Sequence, residues 1–452
     1  MRVHLAAVVF AILPIALDAG AAGAKLARAL DPYFDALERD GRMHGSVAIV
    51  REGKLVYGRA IGMRAGAAGS PLAANAQTAY RAGSITKLYT AVMTYQLIDE
   101  GTLSLDTRLS EFFPAIANAE RITIAHLLSH SSGIGNYPPP DAANDPTAWP
   151  FHPQSKSAML ARFASLQPDH APGERSTYSN TNFALLGYIV EAVTKSTYAA
   201  QLERRITRKL RAKRTRFGGA IDAAKNDAQS FAYDEGKWHV RPEQHASVAA
   251  GAGAIVSTAT ELATFMSALF NRRLMSGGAV AEMLVPFSPS LPGSEKGVVV
   301  FRLNDRSRTA YQHLGGIDAF QSSLTFLPDQ NAAIAIVFNG QNYPMGKVFY
   351  AIVDGLAGRD VAVPSFTPVE LPPQTLARYE GVYAFPEIGM TITVRQSGKH
   401  LSAQASGQEP FALDPIAEAM FSHPPSGILI EFREGALVLF QGPSQLRFKR
   451  SE

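Results

Sequence analysis

A serine and a lysine stand three residues apart at the start of one helical segment, Ser84-Ile-Thr-Lys87. Apolar residues follow at helical spacing until Gly101, which predicts a helix that begins near Ser84. Residues three apart share one face of a helix, so the Lys87 amine can approach the Ser84 hydroxyl. A serine nucleophile needs an adjacent base, and a lysine becomes one when burial lowers its pKa. We interpret the pair as a nucleophile and its base; a solvated surface pair is the alternative.

Two other short motifs carry chemically useful side chains. Tyr178-Ser-Asn180 lies in a turn that runs into a predicted helix, and His313-Leu-Gly315-Gly316 precedes the alternating apolar residues of a strand. The patterns Y-x-N and H-x-G each occur once in the chain. Structural roles are the alternatives: a tyrosine at the rim of the core, an asparagine that caps a helix, and a histidine that bonds a backbone carbonyl.

The three motifs in this order, separated by about 90 and about 135 residues, resemble the penicillin-recognising serine hydrolases. The resemblance is to the branch that contains class C β-lactamases, D-aminopeptidases and related esterases. Three further segments agree with it: Gly45–Tyr57, His126–Ile134 and Ala250–Phe265. It implies an α/β (α+β) fold, a mixed antiparallel sheet with helices and an inserted helical region.

The resemblance also implies a role for each motif residue. Ser84 would attack a carbonyl and form an acyl-enzyme, while Lys87 and Tyr178 would share the proton transfers. Nearby cations could favour a phenolate on Tyr178, so which of the two groups takes the first proton is open. Asn180 would hydrogen-bond Lys87 and the substrate. The backbone N–H groups of Ser84 and Gly316 would hold the oxyanion.

His313 departs from the family pattern. β-Lactamases and transpeptidases usually carry a lysine there, which helps to bind a substrate carboxylate. A histidine is mostly neutral near pH 7, and Leu314 replaces a hydroxyl residue, so both changes weaken anion binding. With Gly315 and Gly316, His313 is expected to line a site for esters, or for amides that are bound by another end.

These roles predict a secreted serine hydrolase of the esterase or D-amino-acid peptidase type. The alternatives are a β-lactamase, a penicillin-binding D,D-carboxypeptidase, and a sensor protein that is acylated and turns over slowly. His126 and His130 have a zinc-ligand spacing, but no glutamate follows His126 as in H-E-x-x-H. We therefore expect no metal and no cofactor.

The chain divides into four predicted parts. Residues 1–24 combine a positive start, an apolar stretch and a small-residue cleavage signal, as a signal peptide does. The apolar stretch is shorter than the roughly 20 residues that span a bilayer; an uncut anchor is the alternative. Residues 25–360 are the hydrolase domain, residues 361–374 a proline-rich linker and residues 375–452 an all-β domain. We expect a periplasmic or secreted protein.

The last part of the chain contains short alternating segments at hairpin spacing, which predict a partly closed antiparallel barrel. The six segments are 381–384, 390–396, 400–405, 427–432, 436–440 and 445–449. Tyr379–Tyr383 resembles the start of the lipocalin-like domain that some relatives carry. No catalytic candidate lies in this region, so the domain is expected to be accessory.

Composition and charge narrow the expected partners. The chain has no cysteine, so it forms no disulfides, and its 46% hydrophobic residues suffice for a large core. Its 43 Lys and Arg barely exceed its 39 Asp and Glu, and nucleic-acid binding is not expected. The basic stretch Arg204–Arg216 is interpreted as a helix end; weak association with the cell envelope is the alternative. The expected partner is a small ester, amide or peptide, and the oligomeric state is open.

Overall fold

The computed structural model describes residues 19–66, 71–137, 147–234, 236–291, 293–297, 299–303, 308–386, 389–441 and 444–451. Most of the predicted signal peptide, residues 1–18, therefore lies outside the described residues. No helix in the described part is long and apolar enough to cross a membrane.

Twelve α-helices are present in the described residues. They are α1 Ala19–Arg39, α2 Thr86–Asp99, α3 Ile124–Leu128, α4 Lys156–Ser165, α5 Asn180–Thr194, α6 Tyr198–Leu202, α7 Arg208–Leu210, α8 Ala246–Gly253, α9 Ala259–Phe270, α10 Gly277–Met283, α11 Met345–Leu356 and α12 Pro373–Ala377. A 3-10 turn over Gly83–Ile85 leads into α2, and a π-helical turn over Glu203–Thr207 joins α6 to α7.

The first thirteen strands belong to the predicted hydrolase domain. They are β1 Met43–Arg51, β2 Lys54–Ile61, β3 Met63–Ala65, β4 Leu72–Ala73, β5 Tyr80–Arg81, β6 Arg216–Phe217, β7 Phe231–Asp234, β8 Lys237–Val240, β9 Ile255–Ser257, β10 Val299–Arg302, β11 Thr309–Ile317, β12 Phe320–Leu327 and β13 Ala332–Gln341.

One large sheet organises this domain. Its strands run β10-β11-β12-β13-β1-β2 with antiparallel pairing, and β7 adds a parallel pairing to β13. Every residue of β13 is buried, because helices cover both faces of the sheet there. The mixed sheet with helices and an inserted helical region, predicted from the sequence, is confirmed.

The helices divide between the two faces of this sheet. On one face α2, α5, α8 and α9 pack in a common core, and on the other α1 and α11 pack in a second core. Helix α2 is buried on all sides from Thr86 to Leu97, rather than on the single apolar stripe that its sequence suggests. Its polar residues are bonded inside the core; Thr90, for example, donates to the carbonyl of Gly251 at 2.6 Å. The N-terminal end of α2 is thereby held in a closely packed frame.

The C-terminal strands close into an eight-stranded antiparallel barrel. They are β14 Gly381–Phe385, β15 Met390–Ser397, β16 His400–Ala405, β17 Phe411–Ala417, β18 Met420–His423, β19 Ile428–Arg433, β20 Ala436–Gln441 and β21 Ser444–Arg450. The sequence predicted six of the eight and a barrel only partly closed. Strand β17 was missed because Asp414 and Pro415 interrupt its apolar pattern, and the ladder indeed has an irregularity between Pro415 and Ala417.

The barrel shares a core with the hydrolase domain. Its outward residues Leu429 and Phe440 are buried in the same cluster as Phe349 of α11 and Phe366 of the proline-rich segment. Lys347, in the first turn of α11, pairs with Glu431 at 2.5 Å and lies 5.3 Å above the Phe440 ring. The all-β domain is thus packed firmly against α11.

Candidate active site

The Ser84 turn is fixed by the strands on either side of it. Strand β5 pairs with β9, and the Ala82 amide donates to the Ile255 carbonyl at 2.8 Å. The chain then turns through Gly83, whose φ is +53°, and enters the 3-10 turn that carries Ser84. A Cβ at residue 83 would lie within 3 Å of the Gly316 backbone, so only glycine permits this approach.

Strand β11 brings the His313-Leu-Gly315-Gly316 motif to the same place. A Cβ at Gly315 would lie 2.2 Å from the Ala82 carbonyl oxygen, so the strand packs directly on the Ser84 turn. Ile317 and Phe320 pair across the two-residue turn that joins β11 to β12. The alternation of an antiparallel ladder therefore directs the Gly316 N–H away from β12, to the side on which Gly83 lies. The amides of Ser84 and Gly316 accordingly form a candidate oxyanion hole.

The Lys87 amine is fully buried beneath Ser84. Its Nζ lies 3.0 Å from Ser84 Oγ, 2.8 Å from Asn180 Oδ1 and 2.8 Å from the Ala252 carbonyl oxygen. Burial holds the pKa of Lys87 well below its usual range, because removal from water disfavours the charged form. A neutral amine has two N–H donors and one lone pair. When its two N–H groups donate to Asn180 Oδ1 and to the Ala252 carbonyl, the lone pair of Lys87 is left to accept the Ser84 proton.

Tyr178 contacts the same serine. Its hydroxyl lies 2.7 Å from Ser84 Oγ, its ring 4.8 Å from Lys87 Nζ, and the His130 ring packs against it at 4.6 Å. Desolvation of the hydroxyl raises the pKa of Tyr178 to about 12, although the bond to Ser84 opposes the shift. A resting phenolate, one of the two options open from the sequence, is therefore disfavoured. Lys87 is the better first base, and Tyr178 is a proton donor at rest.

Asn180 is the first residue of α5 and not its N-cap, which is Ser179. Its backbone N–H donates to Asn136 Oδ1 at 2.8 Å, and its Nδ2 donates to the Tyr137 carbonyl at 3.3 Å. These bonds orient the Asn180 side chain so that its Oδ1 faces Lys87.

His313 lies buried on β11 and cannot serve as a cation. Its Nδ1 lies 2.6 Å from the Leu314 carbonyl oxygen. Burial lowers the pKa of His313 to about 4. The imidazole therefore stays neutral well below pH 6. The pair His126 and His130 has separate partners, Thr123 for the first and the Ser179 amide for the second. Within the described ranges no three His, Asp or Glu side chains converge on a metal position.

Two features of the site have no motif in the sequence. The first is the Ala252 carbonyl, which faces Lys87 because the chain kinks at Ala250, where φ is 42° and ψ is −139°. Such a backbone conformation is costly for alanine and persists only where its surroundings enforce it. The glycine-rich segment Ala250–Phe265 matched the family, but a backbone acceptor leaves no side-chain signal by which it could be found.

The second feature is a buried ion pair between Arg81 and Asp318, 2.5 Å apart, with side chains 4% and 1% exposed. Asp318 also accepts from the Gln244 amide at 2.9 Å. Arg81 precedes Ser84 by three residues and Asp318 follows Gly316 by two. The pair therefore ties together the two segments whose amides form the candidate oxyanion hole.

A cavity of about 450 Å³ opens above these groups. It is lined by Ser84, His130, Ser176, Tyr178, Gly293, Glu295, Gly297, Gln312, His313, Leu314, Gly315, Gly316 and Gln321. A larger cavity of about 620 Å³ lies beside the basic stretch, among Arg208, Arg211 and Lys213. Its described lining residues include no serine beside a lysine, so the smaller cavity is the candidate active site.

Comparison with known proteins agrees with this geometry. The Beta-lactamase family model matches residues 30–357. The chain is 35% identical over 193 residues to esterase EstB of Burkholderia gladioli, which is 40% of this chain and 48% of the esterase. The matched segments span about half, or less, of the curated relatives' lengths.

Two solved structures illustrate the likeness in fold. A D-stereospecific amidohydrolase from Streptomyces sp. has 26% identity and a TM-score of 0.59, covering 72% of this chain and 97% of that one. The octameric penicillin-binding protein homologue from Pyrococcus abyssi has 20% identity and a TM-score of 0.65. It covers 94% of this chain and 100% of that one.

The pH profile tests the role of Lys87. A neutral base loses activity as pH falls through its pKa, so kcat/KM for a neutral ester should fall on the acid side. Because the pKa of Lys87 is lowered, kcat/KM should be level toward pH 9.5. Lys87→Ala and Tyr178→Phe should each lower kcat by about 10²–10⁴, and their losses should not add. A rate that climbs tenfold per pH unit toward pH 10 would indicate a solvated, charged lysine.

The ion pair can be tested with Asp318→Asn, which keeps an acceptor for Gln244 but removes the charge that faces Arg81. If the variant misaligns the oxyanion donors, kcat should fall by a factor of about 10–10³ with little change in KM. The upper limit is the loss in kcat expected when one donor is removed altogether. Asp329→Asn, in the more exposed pair with Arg308, is the matched control and should retain wild-type kcat. Kinetics and thermal unfolding are measured on the same samples. A folded Asp318→Asn protein with wild-type kcat would remove the positioning role.

Proposed function

Because this chain belongs to the beta-lactamase family, we propose that it is a serine hydrolase that cleaves an ester or amide through an acyl-enzyme on Ser84. The observation that carries the proposal is the buried Lys87 amine, 3.0 Å from Ser84 Oγ, with its other partners both hydrogen-bond acceptors. The type we propose is an esterase or a D-amino-acid peptidase.

Acylation follows from the resting arrangement. Lys87 takes the Ser84 proton as the serine oxygen attacks the carbonyl, and the amides of Ser84 and Gly316 stabilise the oxyanion. Collapse of the tetrahedral intermediate breaks the bond to the leaving group. Tyr178, which lies beside Ser84 Oγ, donates its proton to that group, so the acyl-enzyme holds a protonated Lys87 and a Tyr178 phenolate.

Deacylation uses the same groups in reverse. Water enters where the leaving group lay, gives a proton to the Tyr178 phenolate, and attacks the acyl carbonyl. The Ser84 oxygen then leaves and recovers its proton from the protonated Lys87. Since each group of this relay is present and hydrogen-bonded, turnover is favoured over the alternative of a slowly deacylating sensor.

The charges around the cavity favour neutral substrates over carboxylates. His313 is neutral, because its pKa is lowered to about 4. Glu295 is the one carboxylate among the described lining residues, and its Oε2 is buried without a hydrogen-bond partner in that part of the chain. Lys296 turns away to Glu282, at 3.1 Å. The negative charge of Glu295 therefore opposes a substrate carboxylate, which argues against the β-lactamase and D,D-carboxypeptidase alternatives.

A substrate panel tests the function. Wild-type protein should hydrolyse neutral chromogenic esters or D-aminoacyl amides with a higher kcat/KM than a cephalosporin, and Ser84→Ala should abolish every activity. The ratio of ester to cephalosporin should be flat from pH 8 to pH 5, since His313 does not charge in that range. Glu295→Gln should raise relative cephalosporin activity by about tenfold, the order of one charge interaction.

Two results would contradict the proposal. Ester turnover or fluorophosphonate labelling that persists in Ser84→Ala would remove Ser84 as nucleophile. A cephalosporin preference in the wild type, unaffected by Glu295→Gln, would support a β-lactamase instead.

We also propose that the protein is exported, with cleavage after Ala24. Helix α1 begins before that position, but its buried core residues start at Leu26 and continue through Leu30 and Phe34. Cleavage would therefore leave the packed part of the helix intact. Amino-terminal sequencing of protein recovered from the periplasm or medium should find Lys25 first; an intact Met1 would argue for an uncut anchor.

A further inference from the structure

We propose that the leaving group of the substrate carries an apolar arm, bound in a groove that runs from the active-site cavity over Leu314 to helix α11. This inference rests on the proposed hydrolase function and names the chemical class of one half of its substrate.

The groove is made of two adjoining cavities. The cavity above Ser84 and a second cavity of about 260 Å³ share the lining residues Gln312, Leu314 and Gln321. Successive residues of a strand point to opposite faces, so Leu314 projects away from the face on which His313 and Gly315 pack. Its side chain is 57% exposed. Leu314 therefore lies between the two cavities as their common wall.

The second cavity selects for neutral, apolar groups. Its far wall is formed by Met345, Phe349 and Tyr350 of α11, and its remaining lining residues are Gln312, Leu314, Gln321, Ser322, Ser323, Gln341 and Gly346. No charged side chain is among these described lining residues. Apolar walls with a few polar groups at the rim are typical of small-molecule sites. The space suits an alkyl chain or one aromatic ring.

The groove opens on the leaving-group side of the scissile bond. The oxyanion lies at Gly316, and the leaving group must face Tyr178, which protonates it. His130 packs on Tyr178, and both line the active-site cavity together with His313, whereas the other end of β11 leads to the Arg81–Asp318 pair outside the cavity lining. The His313 end of this part of β11 is therefore the end near Tyr178. Leu314 follows directly, so an arm on the leaving group passes over it.

The barrel holds the far wall of this groove in place. Lys347, next to Met345 and Gly346 in the first turn of α11, pairs with Glu431 of the barrel. A Cβ at Gly346 would lie 3.8 Å from the Gln445 side chain of the barrel. The accessory domain thus contributes to substrate choice by positioning α11, and not by contacting Ser84.

The test is the ratio of kcat/KM for hexyl acetate to that for ethyl acetate, measured by acid release. Wild type should prefer the hexyl ester, and Leu314→Ser and Met345→Gln should each lower the ratio about tenfold, the order expected for exposing about two methylene groups. Glu431→Gln should lower it less. Val363→Ser, a similarly exposed apolar residue in the proline-rich segment, should leave the ratio unchanged.

A matched acyl series tests whether the groove binds the leaving group or the acyl group. The ratio of kcat/KM for p-nitrophenyl hexanoate to that for p-nitrophenyl acetate should change little in Leu314→Ser. A chain-length effect confined to that acyl series, or a hexyl-to-ethyl ratio that neither variant changes, would overturn the inference.

Binding separates the groove from the proposed catalysis. In a Ser84→Ala background, saturation-transfer NMR should detect hexyl acetate more strongly than ethyl acetate, and Leu314→Ser should abolish the difference. If wild type cleaves no ester yet this difference is present, the groove stands and the proposed function fails. Equal signals from both esters would refute the groove, whatever the activity.

Discussion

An uncharged amine in the protein interior is the constraint on which the rest of this structure depends. A solvated lysine is protonated at neutral pH, so Lys87 can act as a base only where water does not reach it. This requires α2 to be enclosed on all sides, which the packing of α5, α8 and α9 achieves. It also requires acceptors for both remaining N–H groups. Asn180 supplies one acceptor and the strained chain at Ala250 supplies the other.

The candidate reactive groups could be selected from the sequence because the proposed chemistry depends on side-chain type. Ser84, Lys87, Tyr178 and Asn180 are brought within hydrogen-bond distance, as their motifs suggested. Groups that act through the backbone or through distant pairing could not be found in this way. The Ala252 carbonyl has no residue signature, and Arg81 and Asp318 are 237 positions apart. Their pairing becomes evident only when the sheet places β11 beside the Ser84 turn.

Burial explains the other differences from the sequence-based picture. Proximity to a lysine suggested a phenolate at Tyr178, but the lysine is neutral and desolvation dominates, so the pKa rises. In the barrel, Asp414 and Pro415 interrupt the apolar pattern by which strand β17 could have been predicted. The pairing of β17 with β18 accommodates them through an irregularity in register. In both cases a local preference was outweighed by the environment that the whole fold creates. The predicted overall architecture is confirmed because the hairpins β1–β2 and β12–β13 have recognisable strand patterns, and the family resemblance implied the same sheet.

The pairing of β1 with β13 has a consequence for how this protein folds. Residues 43–51 obtain one of their two neighbouring strands only from residues 332–341, and the second core of the domain also includes side chains of β19 and β20. Contacts between such distant segments make folding slow, because long loops must close before the contacts that stabilise them form. The lysine pocket therefore matures only after nearly the whole polypeptide has been made. A nascent or prematurely ended chain would expose an apolar sheet edge and need protection from aggregation.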